Sequence, residues 1–381
     1  MGRTSRCLVA LLLLSTALPA VAEDEAPPIG PSLVSMSALA FAPDGTLFVG
    51  DAKSGAVFAL ELGEATPGQV AERFQLRDVE TRLAALLGAR SSEILIHDLA
   101  VHPISLDIYL AVSRSRAAWE SRWQLPNDLA DASLLVRVGT DGEMDAVDVA
   151  AVKWSKAELP GPVSADKKHR WKTGAFLRSE AVTDLVYDNG KIWVAGLSNE
   201  EFASTLWRLD YPFDGAAATK TTVEIYHGAH GEWETHAPIR TFVPYRHGDV
   251  DHILAAYLCT PLVTFKTDDL AKGGHLKGKT VAEMGSGNYP LDMVLYKKKG
   301  QERLLIVNSN LPLMIVDPKA VAGFEGQIDA PLDSYVAGVP YEIRSGTGIQ
   351  QLDLYGDEHF VALQRLPGGT LDLMAAPVVR Y

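Results

Sequence analysis

The sequence is poor in cysteine. Its 381 residues contain two. Cys7 lies near the N-terminus and Cys259 stands alone in the rest of the chain. This excludes a disulfide framework and any Cys-x-x-Cys metal or redox motif. Positive charge is also scarce: Lys+Arg 35 stands against Asp+Glu 48, for a formal net charge of -13. With no surplus of cations to displace counterions from phosphates, nonspecific nucleic-acid binding is disfavoured, as is adhesion to anionic lipid. No apolar run reaches the roughly 20 residues needed to span a bilayer. Gly-x-Ser-x-Gly, Walker and dinucleotide-binding glycine motifs are missing, which sets three large enzyme classes aside.

The first 22 residues read as a removable export signal rather than as part of a fold. Arg3 and Arg6 supply a positive start, Leu8 to Leu14 an apolar run, and Ala20-Val21-Ala22 a small-residue cleavage site. No cysteine follows that site, so a lipoprotein is not expected. Residues 23–36 form an acidic, proline-containing lead-in, and 37–381 a single domain. The expected destination is the periplasm or the exterior. There a lone Cys259 is a small buried hydrophobe, a metal ligand or a nucleophile.

The remainder is organised as a repeat. Ser37-Ala-Leu-Ala-Phe-Ala-Pro-Asp-Gly-Thr-Leu-Phe-Val-Gly50 sets an apolar strand, an Asp-Gly turn and a second apolar strand in succession, and Ala56–Leu60 adds a third. The same texture returns from Asp98, Asp184, Thr241, Asp292 and Gln351, with apolar strand starts at Leu39, Leu99, Leu185, Phe242, Met293 and Leu352. Six units of this kind predict an all-β chain, a β-propeller of six blades. The interval from Leu99 to Leu185 has room for a seventh blade, but residues 114–132 and 152–174 read better as loop insertions in blade two. One short helix is expected where Val79, Leu83, Leu86 and Leu87 share a face, between Asp78 as N-cap and Gly88.

The blade texture, clearest in Asp184-Leu-Val-Tyr-Asp-Asn-Gly-Lys-Ile-Trp-Val-Ala195, resembles that of the NHL-repeat and gluconolactonase-like six-bladed propellers over nearly the whole exported chain. The resemblance implies the fold. The acidic and asparagine calcium-ligand set of the gluconolactonase-like enzymes has no residue-by-residue counterpart here. Calcium is therefore an expectation from analogy alone.

Propellers hold ligands on the axis, at the face where inner strands begin and second strands end. The stacked repeats place His97, Asp98, Asp184, His236, Arg240 and Asp292 at the inner-strand starts, and Arg114, Cys259, Asn310 and Arg365 after the second strands. Of these, Asp98, Arg240, Asp292, Asn310, Arg114 and Arg365 are candidate ligand-binding residues. An Asp at such a place can equally cap a turn between blades.

Histidine gives the densest signal. Five of the ten fall between His227 and His252, and Tyr226-His-Gly-Ala-His-Gly-Glu-Trp-Glu-Thr-His-Ala-Pro-Ile-Arg240 leads into blade four. Imidazoles beside one thiolate suit Zn or Cu. The expected metal ligands are His230, His236, Cys259 and His97, with Glu234 or Asp184 as general base. That arrangement would support metal-assisted hydrolysis of a small polar substrate, a lactone or an ester by fold analogy, or redox chemistry. A Cys259–His236 or Cys259–His97 nucleophile pair is a second enzyme reading. A third uses Trp119, Trp123, Trp154 and Trp171 with Lys167, Lys168, His169 and Arg170 to hold an aromatic or anionic ligand. The alternative to an enzyme is a propeller that binds a small molecule or a periplasmic protein partner without turnover.

Overall fold

The computed structural model describes Gly2 and residues 30–114, 133–169 and 175–380; the rest of the proposed signal segment, Trp119, Trp123, Arg170 and Trp171 lie outside them. Six sheets form six blades, antiparallel except where Gly274–Lys277 joins Thr219–His227 of blade three in parallel. Blade one consists of Met36–Phe41, Thr46–Asp51, Ala56–Glu61 and Lys153–Glu158; blade two of Leu95–Val101, Ile108–Ser113, Ser133–Val138 and Met144–Ala146. Blade three runs Asp184–Asp188, Lys191–Leu197, Ser204–Asp210, Thr219–His227, with Glu232–Glu234 added at its edge. Blade four runs Thr241–His247, Val250–Ala256, Pro261–Lys266, Lys279–Met284 and Val336–Gly338. Blade five is Pro290–Lys298, Gln301–Asn308, Leu313–Val316 and Tyr341–Arg344; blade six is Ile349–Leu354, His359–Arg365, Leu371–Pro377 and Gln75–Leu76.

The local chemistry is that of tight hairpins between apolar runs. At Asn189-Gly190 both residues have positive φ (48 and 79), the type I′ geometry that closes the Asp188–Lys191 pair. Middle strands are buried on both faces, Thr46–Asp51 throughout its length, because each sheet packs between two others. Gly50 is one consequence: a Cβ there would meet Val182 Cγ1 at 2.6 Å, so adjacent blades approach too closely for a side chain.

The order round the ring departs from the order in the chain. The inner strand of blade one packs against those of blades two and three, and that of blade six packs against blades five and two. The circuit is therefore two, one, three, four, five, six. The outer strand of blade one comes from Lys153–Glu158, after blade two is complete, and that of blade six comes from Gln75–Leu76, before blade two begins.

Two expectations are corrected. Part of the stretch 152–174 is the outer strand of blade one rather than loop: Lys-Trp-Ser-Lys-Ala-Glu is polar because it forms a solvated edge. The α-helices among the described residues are three short ones, Val79–Leu87, Thr267–Leu270 and Pro318–Ala322, rather than one. The first matches expectation, with Val79, Leu83 and Leu87 buried and Gly88 closing it in the left-handed region (φ 64); Leu86 is exposed. Asp78 makes no side-chain cap, and its N–H instead donates to Asp372 Oδ1 at 3.0 Å. Among the described residues no helix is long and apolar enough to cross a membrane.

Candidate functional site

The axis is lined by the inner edges of the first strands, whose outward N–H groups have no strand to pair with. Four aspartates fill that need. Asp98 Oδ1 accepts the Leu99 N–H at 2.8 Å and its Oδ2 accepts the Leu39 N–H of the next blade at 2.7 Å. Asp184 does the same for Leu185 and Phe242 (2.8 and 2.9 Å), and Asp292 for Met293 and Leu352 (2.7 and 2.9 Å). Asp353 repeats it for Leu354 and Val101 (2.7 and 2.8 Å). All four reach forward in the same sense round the ring, so four of the six blade junctions carry a carboxyl staple.

Desolvation raises all four carboxyls above the ordinary aspartate range: Asp184 to about 7, Asp353 to about 6, Asp98 and Asp292 well above. Charge repulsion among the four adds to it for Asp98 and Asp292, while backbone hydrogen bonds oppose it. Arg240 lowers Asp184 electrostatically. Asp184, expected as a base, and Asp98 and Asp292, expected as ligand contacts, thus have both oxygens engaged by backbone.

The expected arginines are also engaged. Arg365 forms a two-pronged pair with Glu80 (3.0 and 2.9 Å), in the first turn of Val79–Leu87, and Arg114 Nη1 donates to Leu87 O at 2.7 Å at its other end. Together they clamp the helix over blades two and six. Asn310 Nδ2 donates to Gly287 O at 2.7 Å and its N–H reaches Asn288 Oδ1 at 3.1 Å, holding a loop. His97 Nε2 meets Ser113 Oγ within blade two. Trp154 lies in the outer strand of blade one, its ring 6.0 Å from Phe58.

The histidine signal resolves to a place on the rim rather than the axis. Thr219–His227 is the fourth strand of blade three, and Glu232–Glu234 turns back on it, pairing Ile225 with Glu234 and His227 with Glu232. That register sets Glu234 diagonally next to His227 on one face, with His230 in the turn. His227 Nδ1 and His230 Nδ1 both meet Glu234 Oε1, at 2.7 and 2.6 Å, and the two rings are 3.7 Å apart between centroids. One ligand atom from each of the three side chains falls within 4.8 Å of the others. His227 is buried, Glu234 partly so, and His230 faces solvent with 46% of its side chain exposed.

Behind His227 stands Glu283, from the fourth strand of blade four and fully buried. Its Oε1 accepts the Gly228 N–H at 2.7 Å. Its Oε2 lies 3.7 Å from His227 Nε2, and neither of these two buried atoms has a hydrogen-bond partner. Burial raises the Glu283 carboxyl, with His227 pulling the other way. For Glu234 burial also opposes ionisation, but the hydrogen bonds from His227 and His230 outweigh it and hold its carboxyl below the usual glutamate value.

Of the expected metal ligands, the structure brings His230 into this cluster, where it meets Glu234, expected as a general base, and His227. His236 is exposed and meets Thr235 Oγ1 at 2.7 Å, beyond the hairpin. Cys259 sits in the turn after the second strand of blade four with φ 59, its N–H donating to Asn288 O at 2.9 Å. No described histidine hydrogen-bonds its thiol, and His97 belongs to blade two. Sequence reasoning passed over His227, Glu283 and Asp353. His227 was visible as the first histidine of the loop, and Asp353 as a further Asp-apolar pair like Asp98-Leu99; Glu283, inside an apolar strand, carried no signal.

The chain is a six-bladed β-propeller. No protein-family model matches it, and no curated protein does. Solved structures with similar shape include the mitotic checkpoint complex (11% identity, 96% of this chain and 99% of that one, TM-score 0.35). Hydrazine synthase of Kuenenia stuttgartiensis matches at 11% identity, over 96% and 100%, TM-score 0.37, and the extracellular region of plexin A4 at 8%, over 92% and 51%, TM-score 0.38.

Proposed function

We propose that this protein is an exported propeller that holds a transition metal, Zn or Cu, through His227, His230 and Glu234. The observation that carries the reading is the convergence of three ligand atoms of the right chemistry within 4.8 Å. Two imidazoles and one carboxylate suit Zn, and a three-ligand set leaves a position for water or substrate. The exposed side of His230 is where that position would open. The nitrogen-rich donor set fits a transition metal better than calcium. Bound there, the metal would supply a water of lowered pKa and polarise a carbonyl, which makes hydrolysis of a small polar lactone or ester the activity to test. Export is supported by Arg3, Arg6, Leu8–Leu14 and Ala20-Val21-Ala22.

The test is elemental analysis of the untagged protein purified from a periplasm, with N-terminal sequencing of the same sample. Near-stoichiometric Zn or Cu, lost in His227→Ala and His230→Ala and kept in Cys259→Ser, supports the site. Absence of metal under replete conditions rejects it. One observation favours the non-catalytic alternative, a propeller that binds a small molecule or protein partner: the axial carboxyls are committed to backbone N–H groups. A metal-loaded protein that hydrolyses no ester or lactone would point that way.

A further inference from the structure

Blade five carries an unrelated feature at the opposite face of the molecule. Its register pairs Tyr296 with Arg303 and Lys298 with Gln301, and across the outer strands Leu313 with Arg344 and Ile315 with Glu342. Side-chain alternation puts all of these on the face turned toward blade six. Near the axis-entry end that face is apolar, with Val307, Leu313 and Ile349 in one buried cluster. At the other end it opens into a cavity of about 260 Å³. Four cations line the cavity, Lys298, Lys299, Arg303 and Arg344, against a single carboxylate, Glu342. Glu342 pairs with Arg344, and Asp317 with Arg303 at 3.1 Å. In a chain of net charge -13 this is a concentrated positive site.

Tyr296 supplies the second, independent observation. It is 3% exposed, its ring packs edge-on to Phe360 at 5.2 Å, and its hydroxyl is buried with no hydrogen-bond partner. Burial raises the pKa of that hydroxyl, while Arg303 and Arg344 pull it down and Glu342 pushes it up. A buried donor left unpaired is costly, and a ligand oxygen arriving from the cavity would relieve it. At the rim, Lys299 and Gly300 have φ 52 and 76, a two-residue turn in which asparagine is the usual first residue. The chain instead holds a lysine there, lining the cavity.

We propose that this cavity binds a small tetrahedral oxyanion, the phosphate or sulfate group of a small ester, with Tyr296 Oη and Lys299 Nζ as donors inside the field of Arg303 and Arg344. Several donors around one point suit an anion with three or more acceptor oxygens better than a lone carboxylate. The volume lies below the roughly 300–1,000 Å³ of drug-sized pockets, which fits a compact ester rather than a nucleotide.

The test is calorimetric titration of the full-length exported protein with inorganic phosphate, inorganic sulfate and acetate, in chloride buffer containing EDTA so that no rim metal contributes. Tyr296→Phe keeps the ring against Phe360, and Lys299→Asn suits the turn, so both variants are expected to fold. Saturable binding of phosphate or sulfate, weakened about tenfold or more in each variant and absent for acetate, is the expected result. Whichever anion binds more tightly identifies the ester class. No saturable binding of either oxyanion, equal binding in the variants, or equal binding of acetate would overturn the proposal.

Discussion

Asp98 and Leu39 are 59 residues apart in the chain, yet Asp98 Oδ2 accepts the Leu39 backbone N–H at 2.7 Å across a blade boundary. The same carboxyl accepts Leu99 N–H, so one side chain orders two inner strands at once. Removing it would leave both donors facing a narrow opening with no protein acceptor. Asp98→Ala should cost about 1–3 kcal/mol, read as a lower urea midpoint at unchanged slope. A midpoint equal to the parent's would show that water satisfies these N–H groups without penalty.

The raised axial carboxyls make stability depend on pH in a definite sense. A carboxyl whose folded pKa lies above its unfolded one binds its proton more tightly in the native state. Its contribution is therefore full below the ordinary aspartate value and is lost as pH rises through the folded value. For Asp353 and Asp184 those folded values are about 6 and about 7. Carrying Asp353 alone to about 6 corresponds to about 3 kcal/mol. The propeller should unfold at higher urea near pH 5 than near pH 8. A midpoint that rises from pH 5 to pH 8 would contradict it.

Glu283 is the one buried carboxylate behind the rim cluster. Glu283→Ala strips the acceptor from Gly228 N–H and should cost about 2 kcal/mol or more, whereas Glu283→Gln keeps an acceptor and should cost less. Thermal unfolding of the two variants side by side checks this, and equal losses would argue against it.

Arg365 and Arg114 hold opposite ends of Val79–Leu87. The Arg365–Glu80 pair is 38% and 22% exposed, so breaking it should change global stability by about 1 kcal/mol or less. The local effect should be larger. Arg365→Ala is expected to speed hydrogen exchange in residues 78–88 several-fold while blades one and three keep their protection. Unchanged exchange in the helix would remove the clamp from the account.

The blades were legible because their middle strands are continuous apolar runs, with Asp44-Gly45, Asp141-Gly142 and Asn189-Gly190 marking hairpins, a pattern written locally. The outer strand of blade one was not, since Lys153–Glu158 reads as a polar loop until its partner Ala56–Glu61, far upstream, is known. The axial aspartates were legible as a ring, but their engagement with backbone depends on which N–H the neighbouring blade presents, which no single strand encodes. The histidine loop stood out by composition. Which of its members meet was fixed by the register of a three-residue strand, Glu232–Glu234, against His227. Glu283 arrives from another blade, and only tertiary structure could supply it.

The displaced blade order bears on how the chain can assemble. Three strands of blade one are made before blade two, but their outer edge stays open until residue 158 has followed that whole further blade. Gln75, already made by then, waits for Asp372, 297 residues downstream. A nascent chain must therefore carry the open edge of blade one until residue 158 and the unpaired Gln75–Leu76 through most of its synthesis, with the long loop closures that slow folding. Stopping early leaves no smaller closed ring. Loss of Leu371–Pro377 alone would strand Gln75–Leu76, so damage in the last blade's third strand is felt 297 residues earlier in the chain.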